Sequence, residues 1–152
     1  MHQYNSNFKG SPTLSILDNA IKNNRSSDFP SILIVDDNID ILRILQRGLR
    51  ENGFRVSAFT DPNKALESLS TNSEGYGLIL SDIRMPHMNG YELIRKAKQI
   101  DKLVKVVLMT AYDIDDREFQ DLLSDIKIDD FLQKPFSMAK LNDVIAKISI
   151  MK

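Results

Sequence analysis

Three short runs are almost wholly apolar and stop at a polar residue. "ILIV" begins at Ile32, "YGLIL" ends at Leu80 before Ser81-Asp82, and "VKVVLM" ends at Met109 before Thr110. A strand with one wet face alternates polar and apolar residues, so runs like these fit strands covered on both faces. Segments of helical length lie between them. Residues Ile39 to Glu51 carry a stripe of Ile41, Leu42, Leu45 and Leu49, and Asn52-Gly53 ends that helix. "RVSAF" alternates like a strand, and Asp61 caps a helix that starts at Pro62 and continues through Ala65, Leu66 and Leu69. A loop with Pro86 and Asn89-Gly90 leads into the helix "YELIRKAKQI". Beyond Thr110 the pattern predicts a helix over Asp113 to Asp125 and a weaker strand, "IDDFLQ", ending at Lys134-Pro135. Ser137 then caps a last helix with Met138, Leu141, Val144, Ile145 and Ile148 facing inward. Strand and helix therefore alternate five times. That alternation predicts an α/β fold, a parallel sheet doubly wound through right-handed crossovers.

Composition narrows the function classes. At 152 residues the chain suits one domain. A net charge of −1 gives no global field for nucleic acid or anionic lipid. With no cysteine, disulfides, thiolate zinc sites and cysteine nucleophiles are excluded, which fits a reducing cytoplasmic setting. "MHQYNSNFKG" lacks the apolar centre of a signal peptide, and no run approaches the roughly 18 apolar residues of a membrane span. Residues 1–29 are rich in Asn and Ser and broken by Gly10-Ser11-Pro12. They read as a flexible extension, with at most a turn or two of helix around Leu14, Leu17 and Ile21, ahead of a domain at 30–152.

The polar residues that end the strands carry the chemistry. Asp36 and Asp37 follow the first, Asp82 the third, Thr110 the fourth and Lys134 the fifth. In an open parallel sheet these ends share one edge, where ligands bind at the reversal of strand order. Each residue alone has an ordinary reading: a helix cap, a β-branched strand residue, a solvated lysine. Together, clustered carboxylates are tolerable if a cation shares the site, and oxygen donors without His or Cys suit Mg²⁺. A phosphate accounts for Lys134 and Thr110, and Asp82 is then available as a nucleophile forming an acyl phosphate.

At these residues the chain resembles the receiver domain of two-component response regulators. The resemblance rests on "ILIVDDN", "LILSDIRMPHMNGYELI", "VVLMTAY" and "FLQKPF", in order, and covers about Ser31 to Ile150. It implies a flavodoxin-like receiver fold with strand order 2-1-3-4-5. It also implies that Asp82 is the phosphoacceptor, served by a sensor histidine kinase or a phosphotransfer protein. Mg²⁺ would be held by Asp37 directly, by Asp36 mainly through water, by Asp82 and by the backbone carbonyl of Arg84. Lys134 and Thr110 would hold phosphoryl oxygens, and small Ala111 would leave access. Phe131 matches the switch aromatic, without the hydroxyl of tyrosine-bearing relatives, and Lys134-Pro135 matches a cis peptide. Arg84 and Tyr112 occupy positions that tune the lifetime of the phosphorylated state.

The implied protein is a switch and not an enzyme beyond assisting its own phosphorylation and dephosphorylation. It would be a monomer or a phosphorylation-dependent dimer, with no DNA-binding segment after Lys152 and no membrane contact. Its downstream partner would dock on the fourth helix, fifth strand and fifth helix. Asp113 to Asp130 holds eight acidic residues and Arg84 to Lys105 six basic ones, so that face favours a basic protein partner. Two alternatives remain at this level. One is a protein-binding module on the same fold that ignores phosphate. The other is a Mg²⁺-dependent phosphohydrolase, disfavoured because Arg84 stands where such enzymes place a second acid. His87 reads as an ordinary loop residue.

Overall fold

The computed structural model describes residues 31–72, 75–111, 117–122 and 124–150. The extension at 1–29, Tyr112 and the acidic residues 113, 115 and 116 lie outside them. The elements are β1 (Ile32–Val35), α1 (Ile39–Glu51), β2 (Val56–Phe59), α2 (Pro62–Thr71) and β3 (Leu78–Asp82), then α3 (Gly90–Ile100), β4 (Lys105–Thr110), α4 (Arg117–Leu122), β5 (Asp130–Gln133) and α5 (Met138–Ile150). The five strands are parallel throughout and ordered β2-β1-β3-β4-β5.

The apolar runs form the central strands because both of their faces are covered. Ile32, Ile34, Leu78, Leu80, Val107 and Met109 point into a core closed by Leu42, Leu45 and Leu49 of α1 and Leu141, Val144, Ile145 and Ile148 of α5. Leu33, Val35, Ile79, Val106 and Leu108 point the other way, onto Ala65 and Leu69 of α2 and Leu93, Ile94 and Ala97 of α3. Period-two alternation within each strand thus feeds two cores. The expected caps are in place. Asp61 accepts from Asn63 N–H at 2.9 Å, Asn89 from Glu92 N–H at 2.9 Å, and the Ser137 hydroxyl from Lys140 N–H at 3.0 Å. Gly53, at φ 96°, follows the last turn of α1. Asn52 Nδ2 donates to Asn142 Oδ1 at 2.9 Å, tying α1 to α5.

Several boundaries are shorter than the sequence suggests. Arg55 lies outside β2, Tyr76 and Gly77 outside β3, and Ile128 and Asp129 outside β5. Asp129 instead serves the neighbouring strand, where its Oδ2 accepts Val106 N–H at 2.8 Å at the β4 edge.

Candidate functional site

Register puts the strand-end residues together. Val35 lies opposite Ser81, Asp82 opposite Met109, and Thr110 opposite Gln133. Asp36, Asp82, Thr110 and Lys134 therefore leave the sheet on one edge, and Asp36 and Asp82 stand where the strand order reverses. Oxygens of Asp36, Asp37 and Asp82 all lie within 4.8 Å of one another. Asp36 is wholly buried, Asp82 is nearly so and Asp37 is exposed.

The capping reading of the aspartate pair does not hold. Asn38 caps α1: its side-chain oxygen accepts from Asp40 N–H at 2.9 Å and Ile41 N–H at 3.2 Å. Asp36 turns inward instead. Its Oδ1 accepts Asn38 N–H at 2.9 Å and its Oδ2 accepts Lys134 Nζ at 2.9 Å. Lys134 also stands 3.2 Å from Asp82 Oδ1 and so bridges the two buried carboxylates. Its backbone N–H donates to Thr110 O at 2.7 Å, and the Lys134-Pro135 peptide is cis.

Burial and the Asp36 charge push the Asp82 carboxyl above its usual range, against the opposing pull of Lys134. Burial opposes the charge on Lys134. The hydrogen bond it donates to Asp36 and the fields of Asp36 and Asp82 outweigh it, and its pKa is raised. Three carboxylates facing one ammonium leave an excess of negative charge. Hard oxygen donors in that arrangement fit a divalent cation. Asp36 has a partner on each oxygen and Asp82 shares Lys134 with it, so exposed Asp37 is the carboxylate of the three with most capacity to spare.

Thr110 is buried at the end of β4, Phe131 is half-buried on β5 against the α2–α3 side, and Ala111 and Arg84 are exposed. Two features of the loop after Asp82 escape sequence reasoning. Gly90 packs against the backbone of Asp82: a Cβ there would sit 2.5 Å from Asp82 O and 2.9 Å from Ile83 Cα. Its N–H donates to Ile83 O at 2.7 Å, fastening α3 to the end of β3. His87 is the other. Met88 N–H donates to Pro86 O at 2.8 Å, closing a three-residue turn with His87 at φ 72°. That left-handed backbone is costly for a residue other than glycine, and it drives Met88 into the core. The dipeptide Asn89-Gly90 signals a turn in sequence, but only the packing shows why glycine is required.

A doubly wound parallel sheet ordered β2-β1-β3-β4-β5 places the chain in the flavodoxin-like class of α/β domains, and the acidic, lysine-bearing cleft lies at its switch point. Within that class the assignment is specific. The family model described as the response regulator receiver domain matches residues 32–146, and the chain belongs to that family. The response regulator receiver protein CpdR of Brucella abortus is 34% identical over 120 residues, covering 78% of this chain and 96% of that protein. The transcriptional regulatory protein PrrA of Mycobacterium bovis is 36% identical over 112 residues, covering 74% of this chain and 46% of that protein. The chain thus spans about half the length of that relative. Among solved structures, a CheY-like receiver domain protein from Methanospirillum hungatei superposes with a TM-score of 0.73 at 27% identity, covering 81% of this chain and 95% of that one. The receiver domain of a sensor histidine kinase from Pseudomonas aeruginosa, solved with magnesium coordinated in its active-site cleft, gives 0.69 at 27% identity over 80% of this chain and 98% of that one. Receiver domains are signalling modules of two-component systems, and that is the functional class of this chain.

Proposed function

We propose that the chain is a phosphoacceptor switch in which Asp82 takes a phosphoryl group from the phosphohistidine of a sensor kinase or phosphotransfer protein. The observation that carries this reading is the bridge of Lys134 between Asp36 and Asp82, with Asp37 beside them, at the strand-order reversal. An Asp82 oxygen attacks phosphorus in line. The P–O bond of an acyl phosphate forms, the P–N bond breaks, and the departing imidazole nitrogen keeps the bonding pair and takes up a proton. The raised pKa of Asp82 makes its anion a better nucleophile than an ordinary carboxylate. In this reading Lys134 moves from the Asp82 carboxylate to a phosphoryl oxygen, and the Thr110 hydroxyl donates to another.

Asp37, Asp82 and the Arg84 carbonyl would hold Mg²⁺, with Asp36 acting through water. Neutralisation of the phosphoryl oxygens is the chemistry that ion supplies when bound. Phosphoryl contact at Thr110 biases a two-state element that includes Phe131 on β5. The shifted population is read on the α4–β5–α5 face by a downstream protein, as a monomer or as a phosphorylation-dependent dimer. The setting is cytoplasmic. Among the described residues no helix is long and apolar enough to cross a membrane.

Intact-mass analysis after incubation with acetyl phosphate tests the reading. One phosphoryl adduct that needs both Mg²⁺ and Asp82 is expected. An adduct that persists in Asp82→Asn contradicts it. No adduct in the wild type favours a phosphate-independent binding module.

A further inference from the structure

A second polar surface lies at the opposite end of the sheet. β4 runs from Lys105 to Thr110, and the site just described sits at its Thr110 end. At the Lys105 end, the last turns of α3 and residues 125–127 ahead of β5 enclose an open groove of about 400 Å³. Arg95, Lys98, Lys102 and Lys127 line it, with Asp125 the one carboxylate among its lining residues. Arg95 Nη2 holds Asp125 Oδ1 at 3.2 Å, and Lys98 Nζ is spent on Val104 O at 2.7 Å. Among the described residues Lys102 and Lys127 have no carboxylate in ion-pairing range, and both are exposed. A cation in the last turn of α3 is explained by the helix dipole, which covers Lys98. It does not explain Lys102 or Lys127, which lie beyond the helix.

Two large apolar side chains follow lining residues directly in the chain, Ile100 after Gln99 and Leu103 after Lys102. Leu103 is 86% exposed and Ile100 is 44% exposed. Leu103 is held outward by an ordered turn, because Asp101 Oδ1 accepts its N–H at 2.9 Å. The Lys98 bond to Val104 O fixes the other side of that turn, and Val104 is buried. Folding therefore fixes an apolar side chain in water next to Lys102, one of the groove's two exposed lysines without an ion pair among the described residues. Both features are complementary to one kind of ligand. A folded acidic surface can meet the charge, but a flexible segment can also lay an apolar side chain against Leu103 and Ile100.

The geometry points to a docking surface, made of the groove residues Arg95, Lys102 and Lys127 and the exposed Leu103 and Ile100 next to them in the chain, for an acidic segment of a partner protein that also carries an apolar anchor. Being at the far end of β4, it leaves the Asp82 cleft open, so docking and phosphoryl uptake take place independently. The small footprint fits a transient contact.

A ¹⁵N NMR titration of the full chain tests it with three probes: a twelve-residue Asp/Glu peptide bearing two leucines, the same peptide with serine for leucine, and a single-stranded oligonucleotide of equal charge. The leucine peptide is expected to shift amides at 95–105 and 124–127, and to bind about tenfold more tightly than the serine peptide. The double variant Lys102→Glu, Lys127→Glu should abolish those shifts. Leu103→Ser should reduce the leucine peptide to the affinity of the serine one while phosphoryl uptake from acetyl phosphate stays at the wild-type level. All these side chains are exposed, so unchanged spectra elsewhere will certify the fold. Equal affinity of the two peptides overturns the proposal in favour of charge alone. Tighter binding of the oligonucleotide at the same amides overturns it in favour of a nucleic-acid surface. Concentration-dependent self-association through the same amides, without peptide, overturns it in favour of a second copy of the chain.

Discussion

Asp36 is the side chain on which the cleft depends. It is wholly buried, and among the described residues the cation paired with it is Lys134. Removing one member of such a pair leaves an uncompensated buried charge, so Lys134→Ala should destabilise the domain by about 3 kcal/mol in urea denaturation. Asp82 behaves in the opposite way. Its pKa is raised by burial and by Asp36, so the folded state disfavours its charge. That cost is present above the ordinary carboxylate range and is relieved as pH falls. Asp82→Asn should therefore raise Tm at neutral pH by about 2–4 °C, and the gain should shrink on acidification. Lys134 has a raised pKa, so its contribution is complete below the ordinary lysine value of 10.5 and is lost as pH rises through its folded value. A stability loss at alkaline pH that is absent from Lys134→Ala would show it. The residues that build this cluster were legible in sequence because each ends an apolar run. Their pairing was not, because Asp36 and Lys134 lie 98 positions apart.

At the scale of elements, the join between β3 and α3 sets the geometry of Asp82. Gly90→Ala would drive a Cβ into the Asp82 and Ile83 backbone, where no flexible side chain can yield. Overpacking of this kind costs about 1–3 kcal/mol, and the shift it forces falls on Asp82 itself. The expected outcome is a drop in the rate of phosphoryl uptake larger than the loss of stability alone explains, measured on protein shown to be folded. At Gly48, by contrast, an added Cβ meets only the tip of Met138, and Gly48→Ala should be far milder. The elements themselves were legible: the apolar runs became β1, β3 and β4, and Asp61, Asn52-Gly53 and Ser137 bound helices as their chemistry predicts. The turn at His87 was not legible. Its left-handed backbone follows from burying Met88 and seating Gly90, which are tertiary demands on a segment whose local sequence reads as a plain loop.

For the whole molecule, the sheet works as a device that carries separate chemistry at its two edges. Alternating strands and helices bury two cores, and register alone then delivers carboxylates and an ammonium to one edge. If the proposed Mg²⁺ site forms there, global stability should respond to the cation. Mg²⁺ at about five times its Kd should raise stability by about 1 kcal/mol, and chelation should reverse this. Asp37→Asn, at an exposed position, should fold normally yet lose most of that response, measured by thermal melts with and without the metal. Strand order was readable only through resemblance to the receiver family, since alternation alone does not say which strands are neighbours.

The most direct measurement locates the phosphoryl group. Protein treated with acetyl phosphate and Mg²⁺ is reduced with borohydride, which converts an aspartyl phosphate to homoserine, and its peptides are sequenced by tandem mass spectrometry. Homoserine at position 82 alone is the predicted result. Homoserine at 36 or 37, or none at any position, would contradict the assignment of Asp82 as phosphoacceptor.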